Sequence, residues 1–284
     1  MIESMGAILD KAKRGGYAVG AFNFQEYSDM RGIAEAAELK NSPVILMSTT
    51  GVVRFTGPRQ LAHAFKGICG ELRVPCALHL DHAKDIELIK ECIRCGYNSV
   101  MIDASEMPFY ENIETTRRVV CMAKERGVSV EAELGTIGGK EDNALGNSDV
   151  MVDPDTVAEF VERTGVDALA IAIGTVHGFY KIAPKLRFDL IEASAARTSV
   201  PLVMHGGTGL SEEDFARAIR CGISKVNFGT ELKRAFTSAV AGAFNEAGGG
   251  GAGPDPMKFL KAARDACGAI AAGKMEIFGC AGKA

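Results

Sequence analysis

Short apolar runs alternate with longer amphipathic stretches along most of this chain. The runs are rich in Val, Ile, Leu and Ala and stay apolar throughout, which is typical of strands that are buried on both faces of a parallel sheet. We predict strands over eight such runs: 17–24, 43–49, 76–81, 99–104, 129–134, 168–174, 201–205 and 225–228.

The stretches between most of these runs have the period of amphipathic helices. We predict helices over residues 28–40, 86–95, 111–126, 156–164, 188–197, 212–221 and 231–246. Several of them are followed by a glycine, as expected for left-handed helix caps: Gly96, Gly127, Gly165 and Gly222. A glycine-rich segment at 248–253 precedes a last helical stretch at 255–272, which we interpret as an added C-terminal helix.

The regular alternation of strands and helices indicates βαβ units. Eight such units in one chain predict an α/β fold of the closed (β/α)8 TIM-barrel type, with a doubly wound open sheet as the competing architecture. We therefore predict a single domain over residues 1–284, formed by the barrel and its added C-terminal helix.

Composition and charge exclude several classes of protein. With 47% hydrophobic and 24% charged residues, the chain can build a large core. A formal net charge of -4 argues against nucleic acid or an anionic membrane as the main partner. Residues 1–11 lack the apolar core of a secretory signal, and no apolar run approaches the roughly 20 residues that span a bilayer, so we expect a cytoplasmic protein.

Cysteine spacing indicates free thiols rather than a metal or disulfide framework. The chain has eight cysteines, but a disulfide framework is expected in short secreted chains. Cys92 and Cys95 form a CxxC pair inside a predicted helix, and the second pair that a zinc ribbon needs is absent. We interpret both as small helical residues.

Histidines follow three of the predicted strands. His82, His177 and His205 come at or just beyond the third, sixth and seventh strands. Because the C-terminal ends of all barrel strands open onto one face, these rings are expected to meet, and three protein ligands with an open position describe a catalytic zinc site. Since strand side chains alternate, His79 and Asp81 are expected to share a face, with His82 at the start of the loop.

Carboxylates cluster at the same end of the predicted barrel. Asp81 adjoins His82, Asp103 ends the fourth strand, and Glu131 and Glu133 lie on one side of the fifth. Buried acids are costly unless they are paired or lie near a cation, so the cluster indicates a positive centre. For Glu131 and Glu133, a buried polar network is the alternative.

Glycine-rich turns follow the seventh and eighth strands. His205-Gly206-Gly207-Thr208-Gly209 precedes a helix start at Ser211, and Asn227-Phe228-Gly229-Thr230 opens the next helix. Freed backbone N–H groups at a helix N-terminus form an anion site, and barrels commonly bind phosphate on these two loops. We therefore predict a phosphate site.

In this order, the motifs resemble a known family. The strongest matches are His79-Leu80-Asp81-His82, Glu131-Ala132-Glu133-Leu134-Gly135 with Gly138-Gly139, Gly174-Thr175-Val176-His177-Gly178, His205-Gly206-Gly207 and the segment from Asn227. They are similar to class II, zinc-dependent ketose-bisphosphate aldolases of the fructose-bisphosphate and tagatose-bisphosphate group. The resemblance runs from Ala21-Phe22-Asn23 to about Phe244.

The resemblance implies reversible cleavage of tagatose or fructose 1,6-bisphosphate to glycerone phosphate and glyceraldehyde 3-phosphate. His82, His177 and His205 would hold zinc, which polarises the C2 carbonyl and stabilises the enediolate. Asp81 would take the C4 hydroxyl proton and return it in the condensation direction, while His79 becomes a neighbour of the ligands. A homodimer or homotetramer is also implied.

The family pattern implies further site residues. Glu141, on the loop after the fifth strand, would move the proton at C3, and Asp103 with Glu133 matches a second metal position. The carbonyls of Val176, Gly178 and Gly206 match a Na⁺ or K⁺ site. Contacts to substrate phosphates and hydroxyls carry over to Asn23, Thr49, Gly178, Gly206, Gly207, Thr208, Asn227, Phe228, Gly229 and Thr230.

Two positions depart from the fructose-bisphosphate branch. That branch usually has Glu at Lys140 and Asp at Gly229, whereas tagatose-bisphosphate enzymes have a small residue at the latter. Gly229 thus favours another substrate, but Gly207-Thr208 resembles the fructose-type loop, so the C4 epimer stays open. A related phosphorylated keto-sugar or sugar acid is a third substrate class.

Three other functions are compatible with a barrel of this kind, and each makes a different demand on its residues. A Schiff-base aldolase needs a buried strand lysine, but Lys225 begins its predicted strand and is expected on the wrong face of the barrel. A zinc-dependent hydrolase would share the three histidines and Asp81, yet the two phosphate loops disfavour it. A non-catalytic sugar-phosphate-binding subunit would not need those four residues.

Overall fold

The computed structural model describes residues 1–141, 144–146, 150–178, 184–246 and 255–284, with the segments 139–141 and 144–146 described by their backbone alone. Eight parallel strands close into a barrel in the order β1-β10-β9-β8-β5-β4-β3-β2. All eight are predicted strands, so the open-sheet alternative is wrong. The barrel strands are β1 Val19–Asn23, β2 Val44–Thr49, β3 Cys76–Ala83, β4 Ser99–Ile102, β5 Ser129–Leu134, β8 Ala168–Ile171, β9 Leu202–Met204 and β10 Ile223–Phe228.

A small antiparallel pair of strands lies outside the barrel and was not predicted. It consists of β6, Gly139–Glu141, and β7, Ala144–Gly146. The backbone of Glu141 ends β6, whereas the side chains of Lys140 and Glu141 lie outside the described part of the structure.

Helices fill the connections between barrel strands and surround the sheet. They are α1 Met5–Gly15, α2 Tyr27–Leu39, α3 Thr50–Thr56, α4 Pro58–Cys69, α5 Ile86–Cys95, α6 Phe109–Lys124, α7 Val157–Thr164, α8 Phe188–Ala195, α9 Glu212–Cys221, α10 Thr230–Glu246 and α11 Pro256–Ile277. The helix ranges predicted from the sequence do not include α1, the short α3 or α4. None of the helices in the described ranges is long and apolar enough to cross a membrane.

Local chemistry fixes several helix ends as expected. The Ser211 hydroxyl accepts the Asp214 N–H at 3.1 Å, while the Asp214 carboxylate accepts from the Ser211 backbone, which completes a capping box. Gly96 closes α5 with φ of 110°. The predicted starts and ends of these helices are therefore confirmed.

The C-terminal helix α11 packs against α2 and α10 and also contacts β1. Two glycines allow its close approach to α2. A β-carbon at Gly268 would lie 2.9 Å from the carbonyl oxygen of Gly32, and one at Gly32 would collide with the carbonyl oxygen of Arg264. The last predicted helix is thus part of the barrel's outer layer.

Candidate active site

Three histidines from distant parts of the chain meet at the C-terminal mouth of the barrel. His82 lies near the end of β3, His177 follows β8, and His205 follows β9 directly. One ring nitrogen of each lies within 4.8 Å of the others. The ring centroids of His82 and His205 are 4.5 Å apart, and those of His82 and His177 are 4.8 Å apart. The structure therefore brings together the predicted triad.

A bulge in β3 turns His82 toward this triad. Leu80 pairs with Val100 and Ala83 pairs with Ile102, so two residues of β3 oppose one residue of β4. His82 occupies this bulge with a φ of 44°, a left-handed conformation that is uncommon for residues other than glycine. As a result, His82 faces the mouth as Asp81 does.

Neighbouring carboxylates orient two of the rings. Asp103 Oδ2 lies 3.1 Å from His82 Nδ1, and Glu131 Oε1 lies 2.9 Å from His205 Nε2. If each of these ring nitrogens donates its proton to the carboxylate, the opposite nitrogen carries the free lone pair. Those opposite atoms, His82 Nε2 and His205 Nδ1, face each other at 2.6 Å.

The donor set fits a divalent cation. Burial, together with the charge of the His82 ring, lowers the pKa of His177 to about 3 and that of His205 to about 4, so both rings are neutral and able to ligate at pH 7. Burial and the nearby Asp103 carboxylate raise the pKa of Glu133 to about 8. Glu133 Oε2 has no hydrogen-bond partner and lies 4.0 Å from His205 Nδ1. Three imidazole rings, two of them held neutral by burial, beside a buried carboxyl group without a partner suit a zinc ion.

Asp81 is held between two amides beside the triad. Asn23 Nδ2 donates to Asp81 Oδ2 at 2.9 Å, and Asn227 Nδ2 donates to Asp81 Oδ1 at 3.1 Å. Asn23 ends β1 and Asn227 lies in β10, so the two amides come from the first and the last strand of the barrel. The carboxylate is 1% exposed, and each of its oxygens keeps a lone pair for a further proton.

Glu131 belongs to the buried network that the sequence left as an alternative. Its Oε2 accepts from Lys225 Nζ at 2.8 Å, and both side chains are fully buried. Burial alone would raise the pKa of Glu131, but the Lys225 ammonium and the His205 ring outweigh it and lower that pKa. His79 lies beside this network, with its Nδ1 at 2.7 Å from Ser99 Oγ.

The expected position of Lys225 is wrong. β10 begins at Ile223, so Lys225 lies inside the strand rather than at its start, and its side chain runs through the barrel interior. Its ammonium reaches the site through Asn227, whose Oδ1 accepts from Nζ at 2.7 Å. Both contacts engage the ammonium in the native network, which leaves the Schiff-base alternative without a free amine.

The predicted phosphate loops also lie at the mouth. A β-carbon at Gly206, which has a φ of 70°, would lie 2.6 Å from the carbonyl oxygen of Val176, so glycine allows the loops after β8 and β9 to touch. Thr230 begins α10, a helix of 17 residues. The Phe228 side chain, by contrast, packs in the core against Phe22, which leaves only its backbone for a ligand.

The remaining predicted contacts surround the same opening. Thr49 ends β2 and caps α3, with its hydroxyl accepting from Val52 at 3.4 Å. Gly207 and Thr208 are buried behind Gly206, whereas Gly178 and Gly229 are partly exposed. Two features of the site were missed from the sequence: the bulge at His82 and the hydrogen bond from Lys225 to Asn227.

Comparisons with known proteins identify the family of this chain. The family model described as fructose-bisphosphate aldolase class-II matches residues 3–283. The fructose-bisphosphate aldolase of Geobacillus stearothermophilus is 45% identical over 287 residues, covering 99% of this chain and 98% of the relative. That of Staphylococcus aureus strain Mu50 is 43% identical over 284 residues, with 99% and 98% covered.

Solved structures show the same fold. The crystal structure of the YdjI aldolase from Escherichia coli K12 has a TM-score of 0.88 at 36% identity and covers 100% of both chains. A putative fructose-1,6-biphosphate aldolase from Coccidioides immitis has a TM-score of 0.87 at 29% identity, covering 98% of this chain and 96% of that one. This chain is therefore a lyase that belongs to the class II fructose-bisphosphate aldolase family.

Proposed function

We propose that this protein catalyses the zinc-dependent, reversible aldol cleavage of a ketose 1,6-bisphosphate to glycerone phosphate and glyceraldehyde 3-phosphate. The observation that carries the proposal is the placement of Asp81. Its carboxylate is clamped by Asn23 and Asn227 at the side of the histidine triad. A fixed carboxylate beside a cation site is the arrangement that an acid/base residue for aldol chemistry requires.

The metal site consists of His82, His177 and His205. Zinc held there supplies Lewis-acid polarisation of the ketose carbonyl. Asp103 and Glu131 fix two of the rings through hydrogen bonds, which is how outer residues usually orient metal ligands. In this proposal Asp103 and Glu133 also offer a second metal position, because Glu133 Oε2 is buried without a partner.

Asp81 moves the proton of the bond-breaking step. It accepts the C4 hydroxyl proton as the C3–C4 bond breaks and returns the proton when the bond forms in the condensation direction. The two amides favour this role because both donate hydrogen bonds to the carboxylate. They hold it in place and leave its oxygens able to accept the substrate proton. Glu141 is proposed to handle the separate proton at C3.

The phosphates of the substrate are proposed to bind the loops after β9 and β10. Gly206, Gly207 and Thr208 provide backbone N–H groups, and Thr230 lies at the N-terminus of α10, where the helix dipole favours an anion. The carbonyls of Val176, Gly178 and Gly206 are proposed to hold a monovalent cation such as Na⁺ or K⁺, which the close packing of Gly206 against Val176 supports.

Fructose 1,6-bisphosphate is the first candidate substrate, because the curated relatives are named fructose-bisphosphate aldolases. Tagatose 1,6-bisphosphate is the second, and Gly229 favours it. A β-carbon at Gly229 would lie 3.1 Å from Asn23 Nδ2, so any larger residue there would press on an amide that holds Asp81. Glycine leaves that space for a substrate hydroxyl.

A coupled assay with fructose and tagatose 1,6-bisphosphates at equal concentration tests the proposal. Glycerone phosphate is measured as it forms, before and after exhaustive chelation, and again after zinc is added. We expect cleavage that chelation abolishes and zinc restores. Cleavage of neither sugar, or full activity after chelation with covalent trapping of substrate by borohydride, would contradict the proposal.

A further inference from the structure

A buried ion pair crosses the barrel interior below the site. Lys225 Nζ lies 2.8 Å from Glu131 Oε2, and both side chains are 0% exposed. Removing two charges from water costs free energy, and apolar residues of similar size often stabilise a core as well or better. The pair therefore calls for a role other than stability, and its remaining contacts indicate one.

Lys225 determines which way the Asn227 amide faces. Its ammonium donates to Asn227 Oδ1 at 2.7 Å, and Asn227 Nδ2 then donates to Asp81 Oδ1 at 3.1 Å. In the flipped orientation the NH2 group would face an ammonium and the carbonyl oxygen would face a carboxylate. Both contacts would become repulsive, so the ammonium fixes the amide donor on Asp81.

Glu131 determines which nitrogen of His205 faces the triad. Its Oε1 accepts from His205 Nε2 at 2.9 Å, while its Oε2 is held by Lys225. With the proton on Nε2, the lone pair lies on His205 Nδ1, the atom that faces His82 Nε2 at 2.6 Å. The same ion pair thus reaches a metal ligand through Glu131 and the candidate base through Lys225, and the two arms meet where Asn227 Nδ2 lies 3.2 Å from His205 Nε2.

We propose that Lys225 and Glu131 are positioning residues that act as one unit, setting the orientation of the Asn227–Asp81 pair and of the His205 ring together. The Asp81 part of this inference rests on the proposed function, whereas the His205 part depends only on metal binding. Both side chains are fully buried, so we expect them to act through Asn227 and His205 rather than by contact with substrate.

Two single variants test the effect on His205 and the effect on the Asn227–Asp81 pair separately. Glu131→Leu removes the acceptor for His205 Nε2–H, and we expect metal affinity to fall about 10- to 100-fold, as for other residues that orient metal ligands. Lys225→Met removes the donor to Asn227, and we expect kcat at saturating metal to fall about 10- to 100-fold because Asp81 loses its fixed position. KM is expected to change less than kcat.

Each single variant leaves one buried charge of the pair without its partner and could fail to fold for that reason. A double variant avoids this. Lys225→Met with Glu131→Gln removes both charges of the pair, and the Gln oxygen still accepts from His205. We expect metal affinity near that of the wild type together with a kcat as low as that of Lys225→Met. Ser129→Ala is the matched control, since Ser129 starts the same strand as Glu131 and loses one hydrogen bond from Gly6 at the opposite end of the barrel.

Metal affinity is measured by chelator competition with Zn²⁺ and with Co²⁺. The visible spectrum of bound Co²⁺ also reports the ligand field. The melting temperature of each variant is measured in parallel. Unchanged metal affinity in Glu131→Leu, or kcat of Lys225→Met and the double variant equal to that of Ser129→Ala, would overturn the proposal. A melting temperature that falls while both quantities stay unchanged shows a purely structural pair. If the wild type binds metal but cleaves no ketose bisphosphate, the proposed function fails, and the metal affinities alone decide the positioning role.

Discussion

Asp81 and His82 are adjacent in the chain, yet both side chains face the mouth of the barrel. In a regular strand they would point to opposite sides of the sheet. The bulge between Leu80 and Ala83 removes this alternation, at the cost of a φ of 44° at His82. Such a conformation costs of order 1–3 kcal/mol at a residue other than glycine, and it places a metal ligand next to the candidate base.

The left-handed backbone at His82 predicts an order of stability among variants. Asn tolerates this conformation, whereas a β-branched residue does not. In metal-free protein, His82→Val is expected to lower the free energy of unfolding by about 1–2 kcal/mol more than His82→Asn. Urea unfolding of both variants measures the difference, and equal stability would show that the backbone at this position relaxes at no cost.

Zinc is expected to stabilise the folded protein through the histidine triad. A ligand that binds only the native state at 100 times its Kd adds about 2.7 kcal/mol. Thermal unfolding should therefore shift upward with zinc and return after chelation. His177→Ala is expected to lose most of the shift, because the loop after β8 supplies one of the three rings. A shift that persists in this variant would place the zinc elsewhere, for example at the cysteines.

Asp81→Asn tests the candidate base. The amide cannot accept a proton as the carboxylate does, so kcat is expected to fall about 10²- to 10⁴-fold. Asp81 contacts Asn23 and Asn227 rather than the triad in the hydrogen bonds it makes, and zinc content should stay at the wild-type value. Steady-state kinetics with metal analysis provide both measurements, and undiminished turnover would refute the role.

Glu141 is expected to handle the C3 proton. Glu141→Gln should slow exchange of tritium from glycerone phosphate while zinc content is unchanged. Lys140→Ala, at the neighbouring residue of β6, is the control for general disturbance of this segment. If exchange in the Glu141 variant equals that of the control, the residue has no part in the proton transfer.

The contact between α11 and α2 predicts opposite effects for two glycines of one helix. Gly268→Ala pushes a methyl group to 2.9 Å from the Gly32 carbonyl oxygen and is expected to destabilise the protein by about 1–3 kcal/mol. Gly273→Ala meets nothing within 4 Å and is expected to stabilise it by up to about 1 kcal/mol. Calorimetric melting of the two variants measures both signs.

The sequence predicts the barrel and the meeting of the histidines because both follow from simple periodicity. Alternating strands and helices indicate parallel strands, and the C-terminal ends of parallel barrel strands all lie on one face. His82, His177 and His205 follow such ends and therefore come together. The pattern of a single strand carries no information on its partner's register. The bulge that turns His82 is an offset between β3 and β4 and depends on how the two strands pair.

The position of Lys225 likewise depends on how the strands pair and could not be read from the sequence pattern. Its position was inferred from the start of an apolar run, but β10 begins two residues earlier, where Ile223 pairs with Leu202 of β9, so the lysine lies mid-strand. Depth inside a barrel depends on the stagger between strands, which composition does not reveal. The partner of a buried charge, here Glu131 of β5, is equally invisible along the chain.

The closure of the barrel has a consequence for how activity arises during synthesis. β1 pairs with β10, and Ala21 of the first strand lies beside Asn227 of the last. A nascent chain that has not yet released β10 from the ribosome has one of the two amides of Asp81 but lacks the other, along with Lys225. Because pairing between such distant segments is slow, the base is expected to be the last part of the site to form, and the recovery of turnover during refolding therefore reports on ring closure itself.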